Sequence, residues 1–268
     1  MLIQITNNCR ENCEHCFQNS KNESCGLQHM SHQIFIKSVE VAKNKFGAQV
    51  LVVSGGEPTL NQEWYDFIKY LNFTAKVPFT LITNGTWVTN EDIYSKIKRT
   101  LSFQFCLGVQ VTSVKKYYKS FELIKANEDK FKALGNKLFL DLDVPLFMED
   151  IGRARFSSEA QKDVDINPYH MSCLNACLAF KQVKNLKQVG NVLVQNRQFC
   201  KPAIDWQGNI HLSESWLCPS IGSVWDSPIE LFNKGREFKP CLACRNAKKF
   251  MASDRPDIIA ARHIIFND

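Results

Sequence analysis

Three cysteines, Cys9, Cys13 and Cys16, share one short stretch, with three and then two residues between them. Thiolates are soft ligands, and three on one loop can converge on a single metal centre. They cannot complete a tetrahedral site, because no fourth ligand lies beside them. One chemistry that follows is a structural zinc ion whose last ligand comes from elsewhere in the chain. The other is an iron–sulfur cluster with three protein ligands and one iron left open. Catalytic metal sites keep an open position and structural ones close it. A second set lies far downstream: Cys200, Cys218, Cys241 and Cys244, with 17, 22 and 2 residues between them. These four thiols suffice for a complete site of their own, either a zinc knuckle or a cluster. Of the remaining cysteines, Cys106 falls in an apolar run and reads as core, and Cys25 reads as incidental.

The elements that must position these residues follow from the apolar pattern. Leu2–Thr6 reads as a buried strand running into the cysteine loop. Ser31 caps a helix through Phe46 that Gly47 stops. Residues Gln49–Ser54 form a continuous apolar run, as in a parallel strand covered on both faces, and Gly55-Gly56-Glu57-Pro58 follows it. Asn61 caps a helix carrying Trp64, Phe67, Ile68 and Leu71. The third strand, Phe79–Thr83, ends in Asn84-Gly85, and a helix runs from Thr89 or Asn90 to about Arg99. Phe103–Thr112 is a fourth strand, Lys119–Leu134 a helix and Lys137–Val144 a fifth strand. Strand and helix alternate, so the first 150 residues predict an α/β unit with a parallel sheet. The unusual residues all sit where strands end, the edge that carries active sites in such folds. After Pro145 the rhythm weakens, and residues 157–170 are polar and read as a connection. Ser172–Asn185 reads as a helix with Cys173 and Cys177 one turn apart, Ala203–Trp206 and Asn209–Leu212 as a hairpin, and the stretch near Pro228–Phe238 as a helix.

Bulk properties bound the function. The chain has 268 residues, 44 % hydrophobic and 22 % charged, as in an ordinary globular protein. The net charge of +6 permits an anionic partner without demanding one. Eleven cysteines with no secretory signal point to metal or redox chemistry in a reducing cytoplasm, not to a disulfide framework. No apolar run is long enough for a membrane span.

Cys-x3-Cys-x2-Cys after the first strand, Gly-Gly-Glu-Pro after the second and Thr-Asn-Gly after the third together resemble the radical S-adenosylmethionine (SAM) enzymes, over residues 2–156. The resemblance implies a partial (β/α)6 TIM-like barrel in which Cys9, Cys13 and Cys16 hold a [4Fe–4S] cluster and SAM occupies the open iron. It gives Gly55, Gly56, Glu57 and Pro58 the methionine end of SAM. Thr83, Asn84, Gln110 and Thr112 become candidates for its ribose and carboxylate, and His15 stands where the family has an aromatic ring. Family chemistry is reductive cleavage of SAM to a 5′-deoxyadenosyl radical, which abstracts hydrogen from the substrate.

The downstream set, with Gly208 inside it, resembles the SPASM extension in its shortened Twitch form. It implies a second, auxiliary [4Fe–4S] cluster on Cys200, Cys218, Cys241 and Cys244. Ile151-Gly152-Arg153-Ala154 resembles a segment that precedes this extension. The expected division is a barrel over residues 1–156, a connection over 157–199 and a cluster domain over 200–268. Cys173 and Cys177 are packing residues or, as in radical epimerases, hydrogen donors. The resemblance implies an electron donor such as flavodoxin or ferredoxin and favours a peptide substrate, oxidised or crosslinked. The family's winged-helix leader-binding extension does not precede Leu2, which leaves room for a separate leader-binding protein. The alternatives are dehydrogenation or epimerisation of a small molecule such as a sugar or nucleotide, or a non-catalytic iron–sulfur or zinc protein used for binding or electron transfer.

Overall fold

A computed structural model of the chain describes residues 1–21, 26–144, 152–162, 172–195, 202–214, 218–239, 241 and 245–266. Its first half alternates β1 (Leu2–Gln4), α1 (His32–Glu40), β2 (Leu51–Ser54), α2 (Trp64–Lys69), β3 (Phe79–Thr83), α3 (Glu91–Leu101), β4 (Cys106–Ser113), α4 (Phe121–Ala126), α5 (Glu128–Lys132) and β5 (Leu138–Leu142). Two of the expected caps are in place, Ser31 accepting from the Ile34 amide and Asn90 from the Ile93 amide, whereas Asn61 ends the one-turn helix Pro58–Leu60 and Glu63 precedes α2, its amide donating to the Asn61 side chain. Both α1 and α2 end in a wider π turn, over Val41–Lys45 and Tyr70–Ala75. Phe35 of α1 stacks on Phe67 of α2 at 4.3 Å between ring centroids, and both are fully buried.

The second half contributes α6 (Ser172–Gln182), α7 (Leu186–Gln195), β6 (Ala203–Ile204), β7 (Asn209–His211), β8 (Ser220–Ser223), α8 (Pro228–Glu237), α9 (Arg245–Ala252) and α10 (Pro256–Phe266). All eight strands join one open sheet, ordered β5-β4-β3-β2-β1-β6-β7-β8. Strands β1 to β5 are mutually parallel, and β7 and β8 are antiparallel additions. β1 and β2 are buried along their whole length, which explains their unbroken apolar runs.

The structure corrects one expectation. Lys119–Leu134 is not one helix: Asn127 breaks it, with φ −109° and ψ 18°, and its side-chain amide donates back to the Leu123 carbonyl. The sixth parallel strand among the described residues is β6, the first strand of the expected hairpin, which adds beside β1 with Leu2 against Ala203 and Ile3 against Ile204. The sheet is thus a partial barrel that does not close, and the hairpin β6–β7 extends it. No helix among the described residues is long and apolar enough to cross a membrane.

Candidate active site

The site begins where β1 runs out. Beyond Gln4 the chain keeps pairing with the segment after β2: the amides of Ile5, Gly56 and Glu57 donate to the carbonyls of Ser54, Thr6 and Asn8 at 2.8–2.9 Å. This pairing dictates the glycines. A Cβ on Gly56 would lie 2.2 Å from the Asn8 carbonyl oxygen, and one on Gly55 would lie 2.8 Å from Thr6. Sequence reasoning assigned these glycines to close approach of SAM. Their nearest obstacle is the chain's own backbone, although both also line the cleft described below.

Glu57 ties this turn to the next strand. Its carboxylate is 1 % exposed and accepts from the Thr59 amide and hydroxyl, the Thr83 hydroxyl and the Asn84 amide, at 2.7–3.1 Å. Thr83 must donate here, since its oxygen already accepts from the Trp87 indole and the Gly85 amide. Burial raises the Glu57 pKa, opposed by these donors. The geometry favours the ionised form, because every position around the carboxylate is filled by a donor. Glu57 therefore braces the site from behind and does not line the cleft. Pro58 opens the one-turn helix that Glu57 caps.

The brace sets Asn84, which is buried, with its side-chain amide directed at the Cys9 sulfur at 3.8 Å. Thr83, Asn84, Gly55, Gly56 and Thr112 line one cleft of about 630 Å³ with Cys9, Cys13, Cys16 and His15. Gln110 is directed elsewhere, to the Asp141 carboxylate at 2.9 Å. Cys9 and Cys13 are buried and Cys16 is half-buried. Burial, with the nearby Glu57, Cys16 and Glu11 charges, pushes the Cys9 thiol up to about 12, and Cys13 is raised further by burial and its neighbouring thiols. His15 packs at a tilt against Tyr117 and Tyr118, with centroids at 4.5 and 5.4 Å and interplanar angles of 44° and 47°. Burial lowers its pKa to about 4, so the ring is neutral.

The donor set fits a [4Fe–4S] cluster. Two N–H groups already face sulfur, from Asn84 toward Cys9 and from the Ser20 amide toward Cys16 at 3.4 Å. Two cleft residues carry buried polar atoms with no protein partner, Nδ1 of His15 and Nε2 of Gln18.

Sequence reasoning did not find Glu11, Gln18, Tyr118 or the task of Arg153. Arg153 stands in the segment that resembles one preceding the extension, with no task assigned, and it is bonded to the cysteine loop. A Tyr-Tyr pair directly after a strand end was the one available signal for Tyr118. Cys106 and Cys177 are buried in the core, and the Cys177 thiol faces the Phe238 carbonyl at 3.4 Å, away from the cleft. Cys218 and Cys241 are half-buried. Cys25, Cys200, Cys244 and the Cys173 side chain lie outside the described residues.

A parallel α/β sheet with three cysteines, a glycine turn and a Thr-Asn turn around one cleft at its C-terminal edge defines an iron–sulfur-dependent class of enzyme. Residues 3–138 match the radical SAM superfamily, and the chain belongs to that superfamily. Solved structures share the fold at low identity. BtrN in complex with AdoMet (SAM) and 2-DOIA superposes with a TM-score of 0.56 at 13 % identity, covering 94 % of this chain and 89 % of that one. The anSMEcpe enzyme with bound AdoMet and the Cp18Cys peptide gives 0.55 at 15 %, covering 100 % and 95 %. SuiB of Streptococcus suis bound to its precursor peptide SuiA gives 0.52 at 12 %, covering 95 % and 73 %. No curated protein matches the chain.

Proposed function

We propose that the chain cleaves SAM reductively and takes hydrogen from a peptide, leading to oxidation or crosslinking. The observation that carries this reading is the convergence of Cys9, Cys13 and Cys16 with Gly55, Gly56, Thr83, Asn84 and Thr112 on one cleft. When bound, the cofactors supply one-electron cleavage of a sulfonium bond and hydrogen abstraction. The protein's own part is placement and exclusion. Cys9, Cys13 and Cys16 would hold the cluster. The Gly55-Gly56 edge leaves room for the methionine end of SAM, and Thr112 and Asn84 offer polar groups to its ribose and carboxylate. His15, Tyr117 and Tyr118 keep water from one wall.

A peptide is favoured because two of the similar structures, anSMEcpe and SuiB, hold peptides in their complexes. The likeness to BtrN keeps a second reading, dehydrogenation or epimerisation of a small molecule such as a sugar or nucleotide. On the first reading, Cys200, Cys218, Cys241 and Cys244 in the domain over residues 200–268 would hold an auxiliary [4Fe–4S] cluster, which would supply an electron relay or a structural prop. The work is then cytoplasmic, with a flavodoxin or ferredoxin as donor and a separate protein for any leader.

The test is anaerobic reconstitution followed by iron counting and reaction with SAM and a strong reductant. About eight irons per chain are expected, since two clusters carry four each. Release of 5′-deoxyadenosine should vanish in Cys9→Ala, Cys13→Ala or Cys16→Ala. Bound zinc and no SAM cleavage would overturn the reading.

A further inference from the structure

The cysteine loop is clamped by one residue that arrives about 140 positions later. Residues Gly152–Arg155 form a single 3-10 turn laid against the loop. The Arg153 amide donates to the Cys16 carbonyl at 2.7 Å. Its guanidinium spreads over the rest of the loop, with Nη1 on the Cys13 carbonyl at 2.7 Å, Nε on the Asn19 side chain at 3.3 Å and Nη2 on the Ser20 carbonyl. The fork therefore spans Cys13 to Ser20. At its far end Ser20 is the residue whose amide faces the Cys16 sulfur, and Asn19 is held at φ 53°, a left-handed conformation a free loop would leave. The segment is strapped on both sides, by Ser157 donating to Glu14 at 2.6 Å and by the Lys116–Glu159 ion pair at 3.3 Å.

We propose that Arg153 is the positioning residue of the catalytic cluster: it locks the Cys13–Ser20 loop into ligating geometry and places a positive charge behind the cluster's sulfurs. Hydrogen bonds to sulfur and nearby charge are the levers by which a protein sets a cluster's potential. A cation and a held N–H···S contact both favour the reduced, more negative state. A lysine would keep the charge but not the fork, because one ammonium cannot reach three acceptors spread along the loop. The inference rests on the cluster reading above.

The experiment uses the full chain, reconstituted anaerobically, as wild type, Arg153→Gln, Arg153→Lys and Asn19→Ala. Two quantities are read on the paramagnetic resonance signal that responds to SAM, which belongs to the cluster with the open iron. They are its rate of loss to a ferrous chelator and its midpoint potential. In Arg153→Gln, loss should be on the order of 10–100-fold faster and the potential more negative. Arg153→Lys should lose the cluster faster yet keep a potential near wild type. Asn19→Ala should show a smaller gain in loss rate and no change in potential. Wild-type retention and potential in Arg153→Gln would overturn the assignment. If Arg153→Gln does not fold, as read by circular dichroism, unchanged retention in both Arg153→Lys and Asn19→Ala overturns it instead. A wild-type chain with no SAM-responsive cluster overturns the functional reading and this inference with it. A wild-type cluster with indifferent variants overturns this inference alone.

Discussion

The chain carries two cysteine regions, and they are held in opposite ways. At the N-terminal loop Cys9 and Cys13 are buried beside a half-buried Cys16, burial raises the pKa of Cys9 and Cys13, and the surrounding N–H groups face sulfur. At the C-terminal region the described cysteines are half-buried, and the buried polar contacts join protein to protein. His211 bridges the Cys218 carbonyl at 2.8 Å and the Asp205 carboxylate at 3.0 Å. Asp205 also accepts from the Gln207 and Asn209 amides and the Asn209 side chain. The first region is incomplete without added positive charge. The second has its hairpin settled before any metal enters. Burying the thiols themselves shapes a site for a cofactor, whereas burying a paired carboxylate beside the cysteines shapes a frame.

The contrast can be broken by mutation. The largest effect is expected at Asp205, because removing one partner of a buried pair strands the other. Asp205→Ala should cost about 3–5 kcal/mol in denaturant unfolding of the metal-free chain, and a cost near zero would show that the frame is not self-held. Burial pushes the Asp205 carboxyl up, but the hydrogen bonds from His211 and Asn209 outweigh it and hold the pKa below the ordinary aspartate range. The stabilisation is therefore present above the unfolded aspartate value and is lost as pH falls through the lower folded value. Asp205→Asn should lack that acid-side slope in pH-dependent melts of the metal-free chain.

Gly56→Ala comes next, since the Asn8 carbonyl in its way is backbone and cannot swing aside. A loss of about 3 kcal/mol is expected, with weakened SAM binding by equilibrium dialysis. Glu57→Gln puts an N–H group among donors and should cost about 2 kcal/mol. Thermal melting checks it, and an unchanged melt would mean that the carboxylate charge contributes nothing to the brace. The smallest effect sets the scale: Lys96→Ala removes an exposed i,i+4 pair with Asp92 and should cost about 0.3–0.5 kcal/mol.

Much of the first half was legible because its signals are local. Ser31 and Asn90 announce their helices by cap chemistry, and the run Leu51–Ser54 announces a doubly covered strand by its lack of polar residues. The three site motifs were legible for the same reason, each being a few residues at one strand end. What escaped depends on distant partners. Arg153 looks like any turn arginine until the loop it grips is folded beneath it. Gln110 lies on the same face of β4 as Thr112, and the neighbouring Asp141 turns it away from the cleft. The two-residue strand β6 has no periodicity to read, and its place beside β1 is set by pairing alone.

That pairing has a consequence in time. The edge of β1 formed by Leu2 and Ile3 is covered by Ala203 and Ile204, ~200 residues later. At ribosomal rates of roughly 5–20 residues per second, the gap lasts roughly 10–40 s. In its last third, once β5 has been made, β2 to β5 can assemble on one side of β1 while the other side offers an open row of amides and carbonyls to any passing strand. A nascent chain with its sheet half built is therefore most exposed to mispairing at its own first strand, and a chaperone that shields this edge early would raise the yield of folded protein more than one that acts after release.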